Sequence, residues 1–515
     1  MQRGKLKRCK TRLILQGNRL TQGEDGDFLD SFAPVSSATA VRTFISIAAA
    51  DDLHLHSIDL EQAFIQGSWN ALPEGAPTIY IQPPWGWDEE EGVVYELLRP
   101  LYGHPAAARA LHYTLHGWLK SKGFEKSGFE ESVWVRPAGG EYQHPIRLTA
   151  HVDDTLIAVR CLRTMQQFKR DLLERFEGTD EGEVQCYLGC ELKRDWARHS
   201  ITITQASYAK KILMYFGYVD KSPVATPLPP GKRLRSRTQY PEYADTKCDP
   251  SEHKWYRKVL GYFSYLVQLT RADLAFGYAE LSKHAADPCE KHFAYARHLL
   301  QFLAGSWEEG ATYSRPAPDR RHLLFGWVDS DYASCPVTRR SHTGYVLYLN
   351  NGPIAWKSKQ QACVTLSSAE AEYIAASQCA QTVLYIRHLL RYLGYEQLTR
   401  TVLFEDNEAC IKMSRNPVNP DAAKHIDTRM YRLRELVQDK LIWLEKTPTH
   451  LNVADALTKS LSSPAFHTHR EYLRGCTIPF QPESEYLRQH PDVIKTFPVD
   501  DVSRKGSSRK QMCVG

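Results

Sequence analysis

At 515 residues the chain is longer than one hydrophobic core usually organises, so three or four domains are expected. Its 24% charged and 42% hydrophobic residues are ordinary for a globular protein, and no apolar run nears the roughly 18 residues of a membrane helix, so no membrane partner is expected. A net charge of +5 is only a weak pointer to an anionic partner.

The start, "MQRGKLKRCKTRL", has no apolar stretch after its cations and does not read as a secretory signal, which predicts an intracellular protein. Arg3, Lys5, Lys7, Arg8, Lys10 and Arg12 fall on largely alternating positions. A strand facing phosphates and a solvated edge strand are the two readings of that pattern. In "LHLHSIDLEQAFIQGSW" a strand-like alternation ends at Asp59, and Phe64 follows five residues later. "LTAHVDDTLIAV" reads as two antiparallel strands with Asp153 and Asp154 at a tight turn, where short polar residues tolerate positive φ. Two adjacent carboxylates in an apolar run belong at an exposed turn, or around a cation, because a bare buried charge is costly.

Met165, Phe168, Leu172 and Phe176 recur at helical spacing, and "SITITQ" alternates like a strand. The proline-rich stretch 219–250 has linker composition. Amphipathic helices follow in "WYRKVLGYFSYLVQLTRADLAFGYAELSKHA" and "HFAYARHLLQFLAG", up to a break at "SRPAPDRRH". Beyond it come three strands ("HLLFGWVDSDYA", "TGYVLYLN", "PIAWKSK"), a long helix from Ser368, the strand "TVLFED" and further helices. The tail "SRKGSSRKQMCVG" has the composition of a disordered segment. Twelve scattered cysteines, of which only Cys186 and Cys190 are near neighbours, predict free thiols and no structural zinc.

Acidic residues stand out in two groups. Asp59, Asp153 and Asp154 would suffice for a two-cation site if their strands were neighbours in one sheet, since paired divalent ions need several converging carboxylates. Further on, Asp329 follows a strand, Glu372 sits on the long helix, Asp406 ends "TVLFED" and Asp455 lies in "NVADALTK". Each has a bland alternative: Asp406 as a helix cap, Asp455 in a capping-box-like spacing with Asn452. Ser367 and Glu370 also have capping-box spacing, which gives Glu370 a local role and leaves Glu372 free. Asp331 competes with Asp329.

From about residue 3 to 475 the chain resembles the reverse transcriptase and ribonuclease H of copia-type long-terminal-repeat retrotransposons. The resemblance is carried, in order, by "KTRLILQGNRLTQ", "FAPVSSATAVRTFISIAA", "SIDLEQAFIQG", "IYIQPPWGW", "LLRPLYG", "HVDDTLIA", "YLGCEL", "TQASYAKKIL", "YRKVLGYFSYL", "TRADLAF", "SAEAEYIA", "KHIDTRMYRLRE" and "NVADALTKS". It implies an α/β and α+β multidomain chain: a right-hand polymerase of fingers, palm and thumb, a helical connection, and a ribonuclease H-like α/β domain. The expected division is 1–222 for fingers, palm and the start of the thumb, 223–254 for the linker, 255–320 for a helical thumb or connection, 321–465 for the ribonuclease H-like domain and 466–515 for a partly disordered extension. By the same resemblance Asp59, Asp153 and Asp154 hold two Mg²⁺, with Mn²⁺ as an alternative. Lys10 and Arg12 would meet the incoming triphosphate, Tyr102 and Gly103 line the nucleotide pocket, and Phe64 lies under the sugar as a gate against ribonucleotides. Asp329, Glu372, Asp406 and Asp455 would form a second two-metal centre that cuts the RNA strand of a hybrid, with His450 helping water or product movement. The implied partners are an RNA template, a DNA primer, the RNA–DNA hybrid and dNTPs, in the cytoplasm within a virus-like particle or in the nucleus.

The chain departs from the family pattern at several positions. His151, smaller and titratable, replaces the usual tyrosine before "VDD" and is expected either to weaken packing near the primer end or to charge at mildly acid pH. After "LYG" stands "HPAAARAL", where only Arg109 matches, which puts template or nucleotide contacts in question. Ala272 in "TRADLAF" stands where proline is usual. The start falls inside the finger region, as in a fragment or a decayed element. The runner-up function is therefore a remnant that binds nucleic acid through phosphate contacts without chemistry. A metal phosphatase is a weaker third reading, because no nucleophile loop accompanies the acidic pair.

Overall fold

The computed structural model describes residues 13–477 except 24–27, 76, 85, 88–89, 91, 232, 244–247 and 416–426, and leaves out the side chains of 319 and 427–431. The basic segment with Lys10 and Arg12, and most of the extension beyond 466, lie outside the described residues. Among the described residues no helix is long and apolar enough to cross a membrane.

The Ser37 hydroxyl caps α1 (Ala38–Asp51) by accepting the Ala40 amide at 3.1 Å. The helix carries alanine, isoleucine and Phe44 on every side, and a helix apolar all round must be covered all round; residues Ala40 to Ala50 are all buried. After it come β1 (His54–Leu60), the short α2 (Ala63–Gln66), the ribbon β2 (Tyr80–Ile81) with β3 (Tyr95–Glu96), and α3 (Ala107–Ser121). Next are β4 (Glu125–Lys126), β5 (Val133–Arg136), β6 (Ile146–His151), β7 (Asp154–Val159), α4 (Leu162–Arg175) and β8 (Gly178–Glu183). They form an antiparallel sheet of order β4-β5-β6-β7-β1-β8. Leu111, Leu115 and Leu119 of α3 and Met165, Phe168 and Leu172 of α4 pack with Trp134, Leu148 and Ile157 of the sheet in one core.

A second sheet contains β9 (Cys186–Tyr187), β10 (Cys190–Asp195) and β11 (Ser200–Thr204). The helices α5 (Ala206–Phe216), α6 (Pro250–Leu269), α7 (Ala275–Ser282) and α8 (Glu290–Ala304) follow, and β12 (Gly310–Ser314) then returns to pair with β11. That return strand is not visible as a strand in the sequence, because five residues with a leading glycine carry no periodicity of their own. The third sheet has the order β15-β14-β13-β16-β17, built from β13 (Phe325–Asp331), β14 (His342–Leu349), β15 (Gly352–Gln360), β16 (Thr401–Glu405) and β17 (Ile442–Lys446). β16 is parallel to β13 and to β17, and the first three strands are antiparallel. The 25-residue α9 (Ser368–Tyr392), α10 (Glu408–Arg415), α11 (Asp427–Gln438) and α12 (Ser463–Leu473) accompany this sheet.

The proline-rich segment is packed rather than free. Leu228 and Leu234 are buried, Gly231 donates its amide to the Ser460 carbonyl at 3.1 Å, and His298 bonds the Thr226 carbonyl at 2.9 Å. Prolines remove amide donors without preventing apolar contact, so linker composition does not require a spacer. The first and third sheets also share a core through α1. Arg42 donates to the carbonyls of Gln268 at 2.6 Å and Ile354 at 2.7 Å, Ser46 donates to Leu349 at 2.8 Å, and Asp51 pairs with His322 and accepts from Tyr395.

Candidate functional site

Two carboxylate clusters form at strand ends. In the first, Asp59 and Asp154 are partners in the last pair of the β1–β7 ladder, and His151 opposite Asp154 closes the β6–β7 hairpin. Only Val152 and Asp153 remain to make the turn. The Leu60 amide donates to the Asp153 carbonyl at 3.2 Å, which stitches the end of β1 to the hairpin tip. All three aspartates therefore meet at one end of neighbouring strands in one sheet. A tight hairpin turn requires positive φ; here Val152 takes it, at 62°, and not an aspartate. For a β-branched residue that conformation costs about 1–2 kcal/mol. Val152 is kept there by its side chain, which packs on the core below the sheet, and the exposed position is left to Asp153.

A cleft of about 490 Å³ opens beside this end, lined by Ser57, Asp59, Asp154, Glu181, Glu183 and Gln185 together with Cys186 and Tyr187. Among the described residues no lysine or arginine lines it. The Asp154 carboxyl is raised above the usual carboxylate range by burial and then by the negative charges of Asp153, Asp59 and Glu181. Such unrelieved repulsion suits a cation, whose arrival would offset it. Glu181 and Glu183 were not singled out from the sequence; their signal is the acidic alternation "TDEGE", which β8 places next to β1.

His151 is half-buried beside the pair, its Nδ1 has no hydrogen-bond partner, and burial lowers its pKa, with only partial opposition from Asp153. Burial thus works against the expected charging at mildly acid pH. Phe64, on α2, is partly buried, and its ring lies 4.8 Å from that of Tyr102. Neither ring is among the residues lining the cleft. Gly103, at φ +90°, sits under the incoming chain: a Cβ there would meet the Leu15 carbonyl oxygen at 2.1 Å, and the Leu15 amide donates to the Tyr102 carbonyl at 2.7 Å. Only glycine allows that approach. Arg109 makes a two-pronged contact with Glu74 at 3.1 Å, pairs with Asp30 at 3.0 Å and donates to the Phe32 carbonyl. Its guanidinium is committed within the protein.

In the second cluster, β13 and β16 run parallel with Trp327 opposite Phe404. Asp329 and Asp406 each lie two residues beyond that pair, so the parallel register brings both to one end of the sheet. Glu372 arrives from α9. The Ser367 hydroxyl accepts the Glu370 amide, and the Glu370 carboxylate reaches back to the Leu366 amide at 2.7 Å, one residue further than a capping box would. Glu370 is thereby used locally and Glu372 points inward, buried. Carboxylate oxygens of Asp329, Glu372 and Asp406 lie within 4.8 Å of one another. The bland reading of Asp406 fails, because the cap on the Cys410 amide is Asn407, at 3.0 Å.

Asp455 lies on a 3₁₀ turn, Val453–Leu457, whose start is fixed by Asn452: its amide donates to the Val328 carbonyl at 2.9 Å and its oxygen accepts from Ala454 at 3.1 Å. The Lys459 ammonium spans the gap between Asp455 at 2.9 Å and Asp329 at 3.3 Å, and the Thr458 hydroxyl donates to Asp329. Burial pushes the Asp329 carboxyl up to about 7, with Lys459 opposing and Asp455 adding to the rise. Glu372 is raised well above its ordinary value by burial and by Glu405, Asp329 and Asp406. Glu405 and Lys459 were missed in the sequence: Glu405 reads as the last residue of an apolar strand, yet it is fully buried and its carboxyl is raised as well. Among the described residues a buried oxygen of Glu372 and one of Glu405 have no hydrogen-bond partner, which fits a cation-holding centre. Asp331 is taken up by Arg233, which also pairs with Glu280 at 3.0 Å, so Asp329 is the member of the cluster. His450 is exposed, on the turn Thr449–Leu451.

Residues 2–230 match the family described as reverse transcriptase (RNA-dependent DNA polymerase). The chain is 30% identical over 469 residues to the retrovirus-related Pol polyprotein from transposon TNT 1-94 of Nicotiana tabacum, which covers 91% of this chain and 34% of that protein. It is 29% identical over 479 residues to the corresponding polyprotein from transposon RE1 of Arabidopsis thaliana, covering 92% of this chain and 31% of that protein. The chain thus spans about a third of the length of these relatives. Among solved structures, a foamy viral protease-reverse transcriptase in complex with RNA/DNA hybrid aligns over 82% of this chain and 47% of its own, at 12% identity and a TM-score of 0.44.

Proposed function

We propose, from the premise that the chain belongs to the retrovirus-related Pol polyproteins of copia-type transposons, that it is an RNA-directed DNA polymerase with a ribonuclease H centre. The observation that supports this most is the Asp59–Asp154 pairing beside an acidic cleft that no described lysine or arginine lines. The carboxylates of Asp59, Asp153 and Asp154 would hold Mg²⁺, and so would Asp329 and Asp406 of the third sheet together with Glu372 of α9. When bound, such ions lower the pKa of an attacking hydroxyl or water and stabilise charge on the leaving oxygen.

At the first cluster the primer 3′-hydroxyl attacks the α-phosphorus of a dNTP and pyrophosphate leaves. The protein's part is positioning and charge. Asp59 and Asp154 are held by ladder pairing, Asp153 by the hairpin tip, and Phe64 on Tyr102 presents an apolar ring as the sugar gate. Lys10 and Arg12 are assigned to the triphosphate. At the second cluster water attacks an RNA phosphodiester of the hybrid. The expected domain division and the right-hand architecture belong to this same proposal.

The alternative, nucleic-acid binding without chemistry, is favoured by Arg109, whose ion pairs with Glu74 and Asp30 leave it no role on a template. Primer extension on an RNA template with Mg²⁺ and dNTPs decides between them. Extension by the parent, lost in Asp154→Asn, supports the enzyme, whereas retained hybrid binding with no extension supports the remnant.

A further inference from the structure

We infer that Lys459 is the resident cation of the second carboxylate cluster: its ammonium fills the cation position between Asp329 and Asp455, so that this centre takes one divalent ion, on Asp329, Glu372 and Asp406, in place of two. The inference rests on the reading of that cluster as metal-holding.

The cluster is two overlapping acid sets that share Asp329. One set, Asp329 with Glu372 and Asp406, has its oxygens within 4.8 Å of one another. Lys459 lies among the residues of the other. Its Nζ is 2.9 Å from Asp455 Oδ1 and 3.3 Å from each oxygen of Asp329. An ammonium has three donors and no acceptor, so it can satisfy two carboxylates at once, and 2.9 Å is the length of a charge-assisted hydrogen bond. The contact is built in by the backbone. The Lys459 amide donates to the Asp455 carbonyl at 2.9 Å, closing a helical turn that puts the two side chains on one face. Next to it the Thr458 hydroxyl donates to Asp329. The side chain is only one-third exposed and is anchored, unlike a solvated surface lysine.

The charges facing the other set differ. Lys446, on β17, donates to the backbone carbonyl of Asp406 rather than to its carboxylate. Among the described residues one buried oxygen of Glu372 and one of Glu405 have no hydrogen-bond partner, and the charge of Glu405 acts on Glu372 more than that of any other neighbour. The ammonium thus offsets part of the charge of Asp329 and Asp455, whereas among the described residues no cation pairs with the carboxylate of Glu372 or Asp406, and Glu372 feels its acidic neighbours more strongly than Lys459. A divalent ion at contact distance from an ammonium would meet strong repulsion at an effective protein dielectric, so both do not share the gap.

The test is Mn²⁺ binding to the full chain, followed by electron paramagnetic resonance, in an Asp153→Asn, Asp154→Asn background that removes the first cluster. We expect one Mn²⁺ per chain in that background, two in Lys459→Met with the spectrum of a coupled pair, and one in Lys459→Arg. Thermal melting keeps the test open if Lys459→Met is unstable: it should melt lower than the background without metal and gain more on Mn²⁺ addition. Two ions with Lys459 intact, or one ion in both the background and Lys459→Met, overturns the inference while leaving the metal-holding reading in place. No Mn²⁺ in the background, or one that persists in Glu372→Gln with Asp406→Asn, overturns that reading and the inference with it.

Discussion

Asp59 and Asp154 stand opposite each other on neighbouring antiparallel strands, and Thr155, the next residue, donates its hydroxyl to the Ile58 carbonyl at 2.9 Å. The cluster is therefore a property of strand register. A slip of one residue would turn the two carboxylates to opposite faces of the sheet, and the Thr155 bond opposes that slip. The same logic holds at the second cluster, where the parallel pair Trp327 and Phe404 sets Asp329 level with Asp406.

Phe64→Val tests the gate. With the ring gone from its 4.8 Å contact with Tyr102, ribonucleotide incorporation should rise relative to deoxyribonucleotide incorporation, because a steric term in the transition-state ratio has been removed. Single-nucleotide extension with each sugar reads this. A core role instead predicts a loss of about 1–3 kcal/mol of stability and an unmoved sugar ratio.

Arg109→Ala should act on stability before chemistry. Its two-pronged contact with Glu74 and its pair with Asp30 tie the loop at 30 and 74 to the start of α3. Losing them should cost about 1–2 kcal/mol and lower the melting temperature. Nucleotide KM, measured below that temperature, should stay within about twofold of the parent. A large rise in KM with unchanged melting would return Arg109 to the substrate.

Acid should destabilise the fold through buried histidines. His112 and His469 are brought down to about 4 and His284 to about 3, each chiefly by burial. Their folded-state values lie below the unfolded value near 6.5, so between the two the unfolded chain binds more protons and stability falls as pH drops. The loss should begin near pH 6.5 and run down to about pH 3, the folded value of His284, reaching a few kcal/mol in total by order of magnitude. Melting temperature against pH in the parent and in His112→Phe checks it; the variant should show the shallower acid limb.

Burial lowers the His151 pKa, so any acid limb it gives the pH profile of synthesis should lie below that of an exposed imidazole. His151→Tyr should leave the kcat curve at and above about pH 6.5 as it is in the parent. An acid limb centred near pH 6.5 that disappears with the substitution would mean that the imidazole titrates there as a solvated group does.

Much of the fold is legible in the sequence where a period is sustained. The four apolar positions Met165, Phe168, Leu172 and Phe176 are all buried, and the strand–helix order around Ser368 is as the pattern predicts. Strand β12 is not legible, because its only reason to be extended is the partner β11 more than a hundred residues earlier. Nor is the packing of the proline-rich segment, which depends on tertiary contacts and not on local propensity. At the sites, the aspartates announce themselves as charges in apolar runs. Glu405 and Lys459 do not: a final glutamate on a strand and a lysine after a turn are ordinary until the register shows what they face.

The most direct test of the account is a paired assay on one preparation with Mg²⁺: primer extension on an RNA template, and cleavage of the RNA strand of a hybrid. Asp154→Asn should lower extension by more than about a hundredfold and leave cleavage near the parent rate, and Glu372→Gln should do the reverse, since each removes a ligand from one cluster only. If either substitution abolishes both reactions in a chain that still melts like the parent, or if the parent carries out neither, the two clusters are not the two separate centres described.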